Sequence, residues 1–146
     1  MKQIDIFYAD DDEDDLMFFS EAFEKISNNS ENRIFLHLHK NGENLIENLT
    51  KSDTSAIVLL DINMPFKSGF ELLEEIRQNP QTESLPVIMY STSSNKDYID
   101  KGKSLGADSY VIKPYEFGKL FSLISAIIQI DWNNLQNETN YFPYQY

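Results

Sequence analysis

Ile57-Val58-Leu59-Leu60-Asp61-Ile62-Asn63-Met64-Pro65 is the stretch whose reading decides the fold. Four apolar residues run straight into one carboxylate. A run of this length bounded by a Pro reads as a strand buried on both faces. Asp61 then stands at the strand's C-terminal end, where open α/β sheets gather their chemistry. On turn statistics alone Asp61 could equally open a turn. Three other segments bear on that choice: Asp10-Asp11 after a first apolar run, Ser91-Thr92 after a fourth and Lys113-Pro114 after a fifth. Every predicted strand but the second delivers a polar group to one edge.

Outward from Asp61 the chain alternates strand with helix. Ile4 to Ala9 reads as the first strand and runs into the acids Asp10 to Asp15. Leu16, Phe19, Phe23 and Ile26 then repeat at helical spacing. Asp12 to Asp15 read as a solvated helix start that suits the positive end of the helix dipole. The same acids imitate a calcium loop, with Asp10, Asp12 and Asp14 at its first, third and fifth places. Asp15 stands where the loop's sharp turn demands Gly, so that reading is rejected. Arg33 to His39 alternates as a half-exposed strand. His37 and His39 share a face of it, and with no other ligand type nearby they read as edge-strand surface. Gly42 to Lys51 reads as a short helix with Leu45, Ile46 and Leu49 inward.

Ser68 with Glu71 three residues on is a capping box, so a helix starts near Gly69, and Asn79-Pro80 stops it. Leu85 to Tyr90 is the predicted fourth strand and Ser109 to Ile112 the fifth. Between them Asn95 to Leu105 is a weak helix, with Gly102 and only Tyr98, Ile99 and Leu105 to bury. A last helix runs from about Phe117 to about Asp131. Such alternation implies a parallel sheet between helices, with right-handed crossovers.

The 146 residues fit one domain. Lys and Arg number 12 against 24 Asp and Glu, a net charge of −12 that phosphate backbones repel. There is no Cys, hence neither disulfide nor thiol chemistry, which is compatible with the cytosol. No apolar run approaches the ~20 residues that cross a bilayer, so no membrane is expected.

If Asp10, Asp11 and Asp61 converge, three carboxylates repel one another and call for a proton or a cation. All are oxygen donors, which selects a hard divalent ion; Mg²⁺ takes few protein ligands and leaves room for a phosphoryl oxygen. A carboxylate can then act as nucleophile and form an aspartyl-phosphate. Lys113 offers positive charge opposite the metal, and Ser91 a hydroxyl donor.

With Ala9-Asp10-Asp11, Leu60-Asp61-Ile62-Asn63-Met64-Pro65, Gly69, Tyr90-Ser91, Tyr110 and Lys113-Pro114 in order, the chain resembles the receiver domain of two-component response regulators over roughly residues 2–131. The resemblance implies a flavodoxin-like α/β fold: a doubly wound, five-stranded parallel sheet of order 2-1-3-4-5 with five helices in three layers. It implies that Asp61 accepts a phosphoryl group from a sensor histidine kinase or a phosphotransfer protein. Asp11, Asp61 and the Asn63 carbonyl would ligate Mg²⁺, with Asp10 acting mostly through water. Lys113 would pair with the phosphoryl group across a cis Lys113-Pro114 bond. Ser91 and Tyr110 would be the switch pair, Tyr110 turning inward once Ser91 moves. Asn63, Thr92 and Ser93 would tune the phosphate's lifetime. A cytoplasmic location goes with this class.

The weak helix and the Tyr110 strand are the expected readout face, because a marginal helix is easily shifted. Residues 1–131 would be the receiver domain and 132–146 an aromatic-rich extension, too short to fold alone. No DNA-binding domain is expected, so the signal would leave by protein–protein contact. Phe117, Leu120, Phe121, Ile124, Ile127 and Ile128 suffice to cover the sheet, while Leu123 and Ile130 widen the apolar sector. That surplus, with Trp132, Leu135, Tyr141, Phe142, Tyr144 and Tyr146 of the tail, points to a homodimer; a self-covering tail is the plainer alternative. Two other functions stay open, a Mg²⁺-dependent aspartyl-phosphate phosphatase and a phosphorylation-independent scaffold. Asn63 stands where such a phosphatase often has its second acid, and an amide cannot act as one.

Overall fold

The computed structural model describes residues 3–52, 55–133 and 141–144. Five strands form one parallel sheet: β1 (Gln3–Ala9), β2 (Arg33–His39), β3 (Ser55–Leu60), β4 (Val87–Ser91) and β5 (Ser109–Ile112). Their spatial order is β2-β1-β3-β4-β5, as the resemblance implied. Five helices alternate with them: α1 (Glu13–Asn29), α2 (Leu45–Thr50), α3 (Gly69–Gln78), α4 (Lys96–Ser104) and α5 (Phe117–Gln129).

Strand alternation splits the core into two layers. Ile4, Ile6 and Tyr8 of β1, Ile57 and Leu59 of β3, and Tyr90 and Val111 pack under α1 and α5. Phe7, Ala9, Val58, Leu60, Met89 and Tyr110 pack under α2 and α3 on the opposite face, with Tyr98 and Ile99 of α4 partly buried against them. The central strands are apolar on both faces because both are covered.

The caps follow the sequence. Asp12 accepts hydrogen bonds from the Asp14 and Asp15 N–H groups and starts α1. The Ser68–Glu71 capping box starts α3. Asn95 caps α4 through the Asp97 N–H, and Lys101 and Lys103 sit at its negative end. Gly102 is the buried residue of α4. A Cβ there would lie 3.2 Å from Met89 and 3.7 Å from Tyr110, so glycine lets this weakly apolar helix lie close on the sheet.

Some expectations shift. β4 begins at Val87, because Pro86 gives only its carbonyl to the ladder, to the Val58 N–H at 2.9 Å. In α5 the inward set is Leu120, Leu123, Ile124 and Ile127, while Phe121 is 37 % exposed. Leu123 was expected to widen the apolar sector outward; it lies in the core, three residues from Leu120 and four from Ile127, the spacing of one helix face. On β2, Ile34 is buried but Leu38 is exposed, as befits an edge strand covered only in part. His37 is more than bare surface: it stacks on Phe7 at 4.4 Å and meets the buried Asp5 carboxylate at 2.8 Å.

An Arg77 brace ties α3 to the far end of the sheet. Its guanidinium donates to Leu85 O at 2.7 Å, Gly106 O at 2.9 Å and Asp108 at 2.9 Å. Asp108 in turn accepts the first N–H of β4, from Val87, at 2.9 Å.

The described tail folds back on its own chain. Tyr141 O accepts from the Tyr110 N–H and the Tyr144 N–H donates to Tyr110 O, each at 2.8 Å. Trp132 and Tyr144 pack on one core layer and Phe142 on the other. Leu135 and Tyr146, named with the tail above, lie outside the described residues.

Candidate functional site

Each principal site residue extends a strand by one ladder bond. The Asp10 N–H donates to His39 O at 2.9 Å, the Asp61 N–H to Ala9 O at 2.9 Å, and the Lys113 N–H to Ser91 O at 2.8 Å. The sheet register therefore sets where these side chains emerge. Asp10 follows Tyr8 by two residues, Asp61 follows Leu59 and Lys113 follows Val111, so all three continue the α1/α5 layer.

The structure brings together Asp10, Asp11 and Asp61, whose nearest carboxylate oxygens lie within 4.8 Å of one another. Lys113 Nζ donates to Asp10 Oδ2 at 2.6 Å and stands 3.5 Å from Asp61 Oδ1. Asp10 is wholly buried, Asp61 and Lys113 nearly so, and Asp11 is exposed. Burial pushes the Asp61 carboxyl up to about 7; the Lys113 charge opposes this and Asp10 adds to it. Burial also works against the charge of Lys113, but its hydrogen bonds to Asp10 and Asp15 outweigh that and hold it above the ordinary lysine value. Lys113 is thus a fixed cation beside a carboxylate that ionises near neutrality.

The donor set is all oxygen, with one carboxylate from each of three residues and solvent access through Asp11. That chemistry fits a hard divalent cation that keeps some of its waters.

Ser91 and Tyr110 lie on the other face, continuing the layer of Met89. Ser91 is buried, and its Oγ accepts from the Ser93 N–H at 3.1 Å. Tyr110 is already turned inward: it is fully buried, and its hydroxyl donates to Ser93 O at 2.8 Å. Asn63 and Thr92 are exposed and Ser93 half-buried in the adjoining loops. Among the described residues the cis peptide bond is Phe142–Pro143, so the bond implied at Lys113–Pro114 is not cis. The two isomers of an X–Pro bond differ by only about 0.5–1 kcal/mol, so local sterics do not dictate either.

Two residues at the site escaped the sequence reading. Asp15, read as a solvated helix acid, accepts from Lys113 Nζ at 2.8 Å. Its signal was position: it lies one helical turn after Asp11, on the side of α1 that meets the sheet edge. Tyr8, read only as a strand residue, donates from its hydroxyl to Asp10 Oδ2 at 2.5 Å. Its signal was the two-residue spacing that puts Tyr8 and Asp10 on one face. Gly69 is held here too: its N–H donates to Ile62 O at 2.8 Å, and a Cβ on it would lie 2.1 Å from Asp61 O.

The response regulator receiver domain profile matches residues 6–125. A probable cyclic di-GMP phosphodiesterase of Vibrio cholerae is 32 % identical over 129 residues, 88 % of this chain and 27 % of that protein. The chain spans 27–48 % of the length of curated relatives such as this one and response regulator Rcp1 of Synechocystis. Among solved structures, the phosphorylated cyanobacterial phytochrome response regulator RcpA aligns with a TM-score of 0.75 at 27 % identity, over 91 % of this chain and 96 % of that one. The Mn²⁺-bound form of Rcp1 aligns with a TM-score of 0.71 at 25 % identity, over 90 % and 96 %. With the profile spanning most of the sheet and all of the acid–lysine edge, the chain belongs to the response regulator receiver domain family.

Proposed function

We propose that the chain is a phosphoacceptor that takes a phosphoryl group onto Asp61. One observation carries the reading: three carboxylates converge at one sheet edge with a buried lysine 3.5 Å from one of them. A carboxylate Oδ of Asp61 attacks phosphorus, a P–O bond forms, and the bond to the donor's imidazole nitrogen breaks. The donor of that chemistry is a histidine kinase or a phosphotransfer protein. Asp11, Asp61 and the Asn63 carbonyl would hold Mg²⁺, with Asp10 behind them, and the ion would neutralise charge on the phosphoryl oxygens. Lys113 balances the remaining negative charge, and the Ser91 hydroxyl donates to a phosphoryl oxygen. Asn63, Thr92 and Ser93, in the loops beside Asp61 and Ser91, would tune the lifetime of the phosphorylated state.

Ser91, Tyr110 and α4 form the readout of this reading. Tyr110 and the Ser91–Ser93 turn share hydrogen bonds, and α4 rests on Tyr110 across Gly102. The phosphoryl group needs only to bias an existing equilibrium of that weakly buried helix. Output by association with another protein, or with a second copy through Phe121 on α5, goes with the reading. So do a cytoplasmic location and a receiver domain of residues 1–131.

The test is incubation with Mg²⁺ and a small phosphodonor, read by intact mass. One added phosphoryl group that is lost in Asp61→Asn supports the reading. No added mass on a folded, Mg²⁺-loaded chain overturns it.

A further inference from the structure

The phenolic hydroxyl of Tyr8 is a buried polar group at the acid cluster that phosphoryl chemistry does not call for. Tyr8 is fully buried, and its ring is fixed by Phe19 at 4.7 Å and Tyr90 at 5.3 Å between centroids. Packing alone would be served as well by Phe. The hydroxyl instead donates to Asp10 Oδ2 at 2.5 Å.

An ionised carboxylate offers about four lone-pair sites. On Asp10, Oδ2 already receives both the Tyr8 hydroxyl and Lys113 Nζ, and Oδ1 receives the Asp12 N–H at 3.0 Å. A single site remains, on Oδ1. Three donors, one of them cationic, already draw on the charge of this carboxylate.

We infer that Tyr8 is a positioning residue of the cation site: its hydroxyl fixes the Asp10 carboxylate and withholds one of its oxygens from the metal. The cluster of Asp10, Asp11 and Asp61 therefore binds a divalent cation less tightly than its three acids would allow. This rests on the cation-dependent reading above. Deleting the hydroxyl returns an acceptor site and charge density to Asp10 Oδ2, which the cation can use.

Mn²⁺ is the probe, with free ion counted by electron paramagnetic resonance during titration of the full chain. Tyr8→Phe is expected to bind Mn²⁺ at least about threefold tighter, the low end of what one net hydrogen bond contributes. Unchanged or weaker binding overturns the proposal. In an Asp10→Asn background the same substitution is expected to change affinity by less than about twofold; an equal effect in both backgrounds means Tyr8 acts by packing, and overturns it. If Tyr8→Phe does not fold, a fluorinated tyrosine placed at position 8, a stronger donor of similar volume, should weaken Mn²⁺ binding, and no change sinks the idea. Phosphoryl uptake on Asp61 is read separately by mass. Mn²⁺ binding without phosphoryl uptake in the wild-type chain removes the parent reading and leaves the Tyr8 role standing. Normal uptake with unmoved Mn²⁺ affinity in Tyr8→Phe removes the Tyr8 role alone. A wild-type chain that binds no Mn²⁺ removes both.

Discussion

Lys113 and Asp15 form an ion pair at 2.8 Å, shorter than the 3.5 Å between Lys113 and Asp61. Asp15 thus competes with the phosphoacceptor for the same ammonium group. Asp15→Asn should release Lys113 towards Asp61 and raise the rate of phosphoryl uptake from a small donor by about threefold. Stability should change little, within about 1 kcal/mol, because the Asp15 side chain is 31 % exposed and its pair is screened. A slower rate would mean that Asp15 orients Lys113 instead of diverting it.

Removing Lys113 itself should behave differently. Asp10 is wholly buried and accepts from Lys113 at 2.6 Å. Lys113→Met leaves that carboxylate without its cation, and breaking a buried pair costs about 3–5 kcal/mol. Mg²⁺ should restore part of the loss by binding the folded chain selectively. Chemical denaturation with and without Mg²⁺ checks both statements; a loss that Mg²⁺ does not touch would separate Lys113 from the acid cluster.

The helix starts at Asp12, Ser68 and Asn95 and the acids at the strand ends were legible because each rests on local rules, whereas the sheet order came with the family resemblance. Period-two and period-3.6 patterns and cap chemistry all act within a few residues. What escaped depends on distant partners. Asp15 differs from Asp14 only in facing Lys113, 98 residues away. Tyr8 looks like any β-forming aromatic until its hydroxyl is seen against Asp10. In α5 the pattern allowed two neighbouring inward stripes, and packing against α1 and the sheet chose the one with Leu123 instead of Phe121. The tail's place on β5 is a contact between a strand edge and a turn, for which no periodicity exists.

The pH response follows from Asp61. Its folded carboxyl lies at about 7, above the ordinary 3.8, chiefly through burial. Between those values the folded chain holds a proton that the unfolded chain has lost. Its contribution to stability is therefore full below about pH 4 and falls as pH rises through about 7. Thermal melts without divalent ions should show this decline between about pH 4 and 7 and little further change above it, and Asp61→Asn should flatten it. Mg²⁺ affinity should move the other way, weakening as pH falls below about 7, because protons compete for the same oxygens. A wild-type slope matched by Asp61→Asn would assign the titration to another group.

Gly69 gives a test of the loop geometry. A Cβ at Gly69 would sit 2.1 Å from the Asp61 carbonyl oxygen, a backbone atom that cannot swing aside. Gly69→Ala should cost about 2–4 kcal/mol and displace the Asp61–Asn63 backbone, with loss of Mg²⁺ affinity. Gly118 is the contrast, lying in α5 with nothing within 4 Å of its virtual Cβ. Gly118→Ala should stabilise by about 0.5–1 kcal/mol through helix propensity alone.

The tail turn bears on the edge of the sheet. β5 pairs with β4 on one side only, and an open edge invites association. Here Tyr141 and Tyr144 take both backbone groups of Tyr110 on the free side, and Tyr141 O also accepts from the Ser109 hydroxyl at 2.9 Å. Phe142 anchors the turn on one face under Lys103, whose Nζ lies 5.4 Å from the ring centroid, and Tyr144 anchors it on the other. Ending the chain after Asn133 should therefore speed hydrogen exchange at the Tyr110 amide by about tenfold or more, while Asp10 and Asp61 amides, bonded within the sheet, keep their protection. It should also raise self-association, seen by light scattering, because the β5 edge is bared. Equal exchange at Tyr110 in the two chains would show that the turn does not hold the edge in solution. Protection that rises with protein concentration in the full-length chain would mean that the turn grips the β5 of a second copy, because an intramolecular clasp is independent of concentration.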